Sequence, residues 1–151
     1  MSRYYLDCEF DGHGGPLLSI ALIGVVRSLY VRTDNVAFDP WVRENVVPHL
    51  GAHHADMGRV FTPENEVGAE LRSFIGGDEH PVIVADSPVD IGRFCQAIST
   101  GDGGGWASVD YPRMTFKVHN VDCYPTPLKG AVQHNAWWDA MALRHKLTGA
   151  A

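Results

Sequence analysis

Asp7 and Glu9 stand two apart in the segment Tyr4 to Phe10, where side chains alternate in character. The two-residue period of a strand puts Tyr5, Asp7 and Glu9 on one face and Leu6, Cys8 and Phe10 on the other. The two carboxylates therefore project together. Like charges at that spacing repel unless a cation lies between them, and hard oxygen ligands of this kind suit Mg²⁺. An acid pair on an exposed strand face is also ordinary surface chemistry, so the pair needs further ligands before it means more. A second acid of interest is Asp90. Asp90 falls at the third position of a helix announced by Ser87-Pro88, where an acid also suits helix-terminus electrostatics. Asp86, just before it, is a turn former or a substrate contact. His134 and Asp139 are five apart, about 140° around a regular helix, so His134 belongs to the lead-in and is free to approach a centre shared with Asp139. The plainer role for a lone histidine there is a capping or surface group. His53-His54 with Asp56 looks superficially like a metal cluster, but adjacent residues cannot easily share one ion, and a solvated loop is the better reading.

The elements that must position these residues follow from periodicity and turn chemistry. After the Tyr4 to Phe10 strand, Asp11-Gly12-His13-Gly14-Gly15-Pro16 is dense in turn formers. The continuous apolar run Leu17 to Val26 then suits a strand covered on both faces, and Leu29 to Arg32 makes a third, so the three strands form an antiparallel meander. Thr62-Pro63-Glu64 offers an N-cap, a first-position proline and a first-turn acid, and predicts a helix through Val67, Leu71, Phe74 and Ile75 until Gly76-Gly77. Pro81 to Ala85 reads as a buried strand. Ser87-Pro88 starts a second helix with Ile91, Phe94, Cys95 and Ile98 as its apolar stripe. Gly101-Asp102-Gly103-Gly104-Gly105 lacks the Gly-Lys-Ser/Thr of a phosphate-cradling loop and reads as a mobile linker. A strand within Met114 to Val121 and a last helix from about Asn135 to Leu147, packed through Ala136, Ala140, Leu143 and Leu147, complete the pattern. The sum is an α/β domain over residues 1–151. Its mixed five-stranded sheet has three antiparallel strands and then parallel additions, flanked by helices.

Composition narrows the function. The chain has 151 residues, 45% apolar and 20% charged, as one globular domain requires. With 18 acidic and 12 basic residues the formal charge is −6, the wrong sign for coating nucleic acid by bulk electrostatics. A polyanionic substrate would need a local device such as bound metal. No apolar run reaches the roughly 20 residues of a membrane span. Asp7 interrupts what would be the apolar stretch of a signal peptide, which points to the cytoplasm. Three widely spaced cysteines, Cys8, Cys95 and Cys123, suggest neither a disulfide framework nor a zinc knuckle, only reduced structural thiols.

Three segments in order resemble the three motifs of the DEDDh (DnaQ-like) 3′–5′ exonuclease superfamily. They are Tyr5-Leu-Asp7-Cys-Glu9-Phe10, Val84-Ala-Asp86-Ser-Pro-Val-Asp90-Ile-Gly-Arg-Phe94, and His134-Asn-Ala-Trp-Trp-Asp139-Ala-Met-Ala-Leu143. The chain is also similar to ribonuclease T and oligoribonuclease, and its short length and tryptophans look most like the small exoribonucleases grouped as Rv2179c-like. The resemblance covers nearly the whole chain. It implies a ribonuclease H-like fold in which Asp7, Glu9, Asp90 and Asp139 hold two Mg²⁺ (or Mn²⁺) ions and His134 is the general base. Two such ions add four positive charges and take the chain from −6 to −2. Carboxylates around His134 should raise its pKa. Where many relatives have asparagine, this chain has Asp86, which alters a substrate contact and stands at best outside the metal ligands. The implied substrate is single-stranded RNA or a short oligonucleotide with a free 3′ end. Phe10, one residue past Glu9, could stack the last base or belong to the core. Trp137 and Trp138 lie beside the site, with at least one covering the sheet. Arg93, Arg113 or Lys117 could meet a backbone phosphate, and His13 could line the cleft. Several relatives complete their substrate surface as homodimers. The alternatives are single-stranded DNA as substrate, a small-nucleotide phosphodiesterase, and a non-catalytic nucleic-acid-binding domain, which would have no reason to keep so costly a cluster of charges.

Overall fold

The structure is a computed structural model that describes residues 2–52, 62–107 and 111–150. In chain order its elements are β1 (Arg3–Phe10), β2 (Leu17–Ile23), β3 (Ser28–Arg32), α1 (Pro40–Asn45), α2 (Glu64–Ile75), β4 (Val82–Ala85), α3 (Pro88–Ile98), β5 (Thr115–Val118) and α4 (Ala136–Thr148). They build one sheet in the order β3-β2-β1-β4-β5. β1, β2 and β3 are antiparallel neighbours, whereas β4 runs parallel to β1 and β5 parallel to β4. The architecture is therefore α/β with a mixed five-stranded sheet flanked by helices, as the periodicity predicts.

The alternation along β1 sorts its side chains between two cores. Leu6 and Cys8 join Ile20, Leu22 and Ile83 under Val67, Leu71 and Ile75 of α2 and Phe94 and Ile98 of α3. Tyr5 joins Ala21, Ile23, Val82 and Val84 under Ala136, Trp137, Ala140 and Leu143 of α4. Each large side chain so buried contributes about 1.5–3 kcal/mol of transfer free energy, which fixes both helix layers on the sheet. Every residue of β2 is buried, as a continuous apolar run demands. The run outlasts the strand, however. Val25 and Val26 are 78% and 96% exposed because Gly24 turns the chain, its N–H bonding Arg27 O at 3.0 Å. A side chain at Gly24 would stand 2.5 Å from that same carbonyl, so the tight turn requires glycine.

Other boundaries differ for identifiable reasons. Thr62 does not cap α2. Its backbone bridges Thr33, taking Arg32 O at 2.8 Å and giving its own carbonyl to Asp34 N at 3.2 Å, so it extends the sheet edge and Pro63 becomes the flanking residue. The glycine-rich stretch is a closed turn rather than an open linker. Thr100 bridges Trp106, and Ala107 N bonds Ser99 O at 2.9 Å. The segment containing His53, His54 and Asp56 lies outside the described residues. All three cysteines are free, Cys8 buried and Cys95 and Cys123 half-buried. Among the described residues, no helix is long and apolar enough to cross a membrane.

Candidate functional site

β4 pairs with β1 only along Arg3–Tyr5, so Leu6 to Phe10 run on past the end of β4 with that edge unpaired. Asp7 and Glu9 project from this overhang. On the other edge β2 supports it as far as a register shift after Glu9, where Glu9 faces Ser19 and Phe10 faces Leu17. The vacant edge is filled by the next turn of chain. Ser87 caps α3 by accepting Val89 N at 3.1 Å, Pro88 takes the first helical position, and Asp90 follows buried beneath the overhang. The Cys8 thiol points at Asp90 O, 3.9 Å away.

α4 closes the opposite side. The fully buried Asn135 caps it, accepting Trp137 N at 3.1 Å and Trp138 N at 3.3 Å, while its own amide donates to His49 O at 2.7 Å. Asp139, in the first turn, reaches back and accepts Asn135 N at 3.2 Å. As expected, His134 lies on the lead-in and not on the helix.

These elements bring five carboxylates together in two groups. Ligand oxygens of Asp7, Asp86 and Asp90 lie within 4.8 Å of one another, and so do those of Asp7, Glu9 and Asp139, with Asp7 common to both. Asp86, placed outside the ligands by the sequence analysis, is a full member of one group. Its position follows from β4 ending at Ala85, which delivers the next side chain to the overhang.

The electrostatics of the cluster are those of charges short of a partner. Burial and then repulsion from Asp90, Glu9, Asp139 and Asp86 push Asp7 well above the ordinary carboxyl range. Burial raises Glu9 to about 8, with Asp139 and Asp90 adding to it. Asp90 rises to about 7 through burial and Asp86, although the Cys8 and Asp90 backbone N–H groups and the Arg93 charge pull it down. Asp139 likewise reaches about 7, mainly through burial. None of the five is in an ion pair among the described residues.

His134 departs from expectation. Its pKa is lowered, first by burial and then by His49. The imidazole packs edge-to-face on Trp41, centroids 5.2 Å apart at 81°, and the positive charge of His49 adds to the effect of burial. Its backbone holds a left-handed φ of 60°, uncommon for a side-chain-bearing residue, and is tied to the Asp139 carboxylate.

Trp41, which the sequence analysis did not single out, is 55% exposed on α1. Asp39 caps that helix through Val42 N at 3.0 Å, and the Asp11 carboxylate accepts Phe38 N at 2.8 Å and Asp39 N at 2.9 Å, tying α1 to the turn after β1. A cavity of about 420 Å³ opens between β1 and α1, lined by Glu9, Phe10, Gly12, Asp39, Trp41 and Val42. The available signal was a tryptophan on the outer side of a short helix whose inner side is Val42 and Val46. Phe10, Arg93, Trp137 and Trp138 are already engaged, and His13 lies apart from the carboxylates. Phe10 packs on the core with the Arg93 guanidinium 4.6 Å over its ring, and Arg93 also donates to Gly15 O at 2.7 Å. His13 is exposed in the turn, outside both carboxylate groups. Trp137 is buried on the sheet, and the Trp138 indole donates to Ala52 O.

No protein-family model matches the chain, and no curated protein matches it.

Proposed function

We propose that the chain is a metal-dependent 3′–5′ exoribonuclease of ribonuclease H-like fold that releases nucleoside 5′-monophosphates from single-stranded RNA. One observation carries this reading: two carboxylate groups share Asp7, and none of their members is in an ion pair among the described residues. The donor set fits hard divalent cations, being all oxygen, half-buried or buried, and pushed up toward neutral pH by burial and mutual repulsion. Asp7, Glu9, Asp90 and Asp139 would hold two Mg²⁺ or Mn²⁺ ions, with Asp86 beside Asp7 and Asp90. Such ions supply Lewis acidity toward water and the scissile phosphate.

The rest is done by the chain's own residues. His134 takes the proton of the attacking water, and its lowered pKa keeps the imidazole in the accepting, neutral form at pH 7. Trp41, exposed beside Glu9, offers the terminal base a ring on which to stack. Asp11 and Asp39 hold α1, and with it Trp41, at the mouth of the cavity.

The test is degradation of a 5′-labelled single-stranded RNA and its DNA counterpart with Mg²⁺, Mn²⁺ or EDTA, using wild type and Asp7→Ala. The expected result is a metal-dependent ladder shortening from the 3′ end, faster on RNA and absent in the variant. Faster loss of the DNA strand would reassign the substrate. No cleavage of either strand by folded protein with any metal would leave a non-catalytic nucleic-acid-binding domain.

A further inference from the structure

Away from the acids, two cavities adjoin along α4. One of about 380 Å³ is lined by Arg3, Tyr5, Val25, Val82, Arg144 and Thr148 among others. The second, about 160 Å³, is lined by Arg3, Tyr5, Val84, Lys117, His119 and Leu147. Arg3 and Tyr5 belong to both, so the two meet at these residues and are treated together as one groove, and no carboxylate lines either part. The side chains of Arg3, Lys117 and Arg144 make no hydrogen bond or ion pair among the described residues. In a chain of net charge −6, that is a concentrated strip of unneutralised cations.

Each cation has a local reason that falls short of the whole. Arg144 sits in the later part of α4, where positive charge suits the helix dipole. Lys117 lies on the exposed edge strand β5, where lysine discourages pairing with another chain. Neither reason accounts for Arg3 at the start of β1, nor for all three converging on one groove.

The groove leads to the carboxylates. His119 N donates to Ala85 O at 2.8 Å, and Ala85 immediately precedes Asp86. β1 carries Asp7 to the acids and Arg3 to the groove, about 13 Å apart at strand rise. α4 carries both Asp139 and Arg144, about 7.5 Å apart along its axis and about 140° apart around it. The Trp41 cavity lies on the other side of Glu9, between β1 and α1. The resulting order is aromatic cavity, carboxylates, cationic groove.

We infer that this groove binds the backbone phosphates of a single-stranded nucleic acid on the 5′ side of the nucleotide held at the carboxylates. The direction of the strand rests on the exonuclease reading; the binding of phosphates does not. Arg3, Lys117 and Arg144 supply the charge that the acidic chain lacks elsewhere, and they contact phosphate without reading base or sugar.

The experiment is fluorescence anisotropy of labelled ten-nucleotide RNA and DNA on the Asp7→Asn full chain across a salt series. The same measurement is made with Arg3→Gln/Lys117→Gln/Arg144→Gln added, with Lys117→Gln alone, and with Lys129→Gln as an off-groove control. The triple variant should weaken binding on the order of tenfold and flatten the slope of log affinity against log salt by about 2, equally for RNA and DNA. Lys117→Gln alone should flatten it by about 0.7, which keeps the test decisive if the triple variant does not fold. Unchanged slopes overturn the inference, as does an equal effect of Lys129→Gln, which would reduce it to bulk charge. Binding to phosphatidylglycerol vesicles in place of oligonucleotide also overturns it. If wild type cleaves neither strand, the exonuclease reading fails while these slopes still decide the groove.

Discussion

Acidic side chains near the two ends of β1 meet opposite conditions. Near its start, Asp78 is surrounded by donors: the Tyr4 hydroxyl, Ser2 Oγ at 2.7 Å and Arg27 Nη2 at 3.1 Å. Burial alone would raise its pKa, but hydrogen bonds from Tyr4, Ser2 and Arg27 outweigh burial and hold it below the usual carboxylate range. Past the end of β4, Asp7, Glu9, Asp86, Asp90 and Asp139 have each other for neighbours, and all five are pushed upward. A carboxylate used for structure is given its partners by the fold. One left without them, in a cluster, is costly, and the proposed cations would offset that cost.

The sharpest way to break this contrast is at the shared ligand. Asp7→Asn should lower exonuclease activity about a thousandfold or more, the several kcal/mol that a metal centre contributes. In the metal-free protein the same change should raise Tm at pH 8, because it removes a buried carboxyl whose ionisation the fold disfavours. A fall in both would place Asp7 with the structural acids. The next effect is that of the cations themselves. Folded Glu9 titrates at about 8 and Asp90 and Asp139 at about 7, against roughly 4 in an unfolded chain. The folded state therefore binds more protons across that window, and metal-free stability should fall as pH rises from about 4 to 8. Mg²⁺ or Mn²⁺ should restore Tm far more at pH 8 than at pH 5 by thermal denaturation, and EDTA should abolish activity.

His134→Gln should cost about 10² to 10⁴ in kcat while leaving the metal-dependent gain in Tm intact. In wild type the rate should rise with pH through a midpoint below 6.5, since burial and His49 disfavour the charged imidazole, and that limb should vanish in the variant. A wild-type rate with no such limb would count against the base. Asp78→Asn should have the smallest effect. Its pair with Arg27, 44% exposed, is worth under about 1 kcal/mol in urea denaturation. Activity should not change. Because the Asp78 pKa is lowered, this contribution is present at neutral pH and is lost only as pH falls below about 4.

Much of this was legible in the chain because it is encoded over short distances. The alternation from Tyr4 to Phe10, the buried run of β2, the Ser87-Pro88 helix start and the apolar face of α4 each depend on residues within a few positions. From them follow the sheet and its flanking helices, whereas the set Asp7, Glu9, Asp90 and Asp139 came from the resemblance of three ordered segments to a known family. What only the tertiary structure decided turns on where one strand stops beside another. β4 ends at Ala85 while β1 continues, so Asp86 joins Asp7 and Asp90, and Thr62 forsakes its cap to extend the sheet edge beside Thr33. α1, tied by Asp11 to the first turn, sets Trp41 against His134 across 93 positions of chain, and burial and His49 lower the pKa that neighbouring acids were expected to raise. Local periodicity chooses the face on which a side chain projects. Its neighbours across the cleft, and hence its charge state, depend on long-range pairing and packing that no short window of sequence contains.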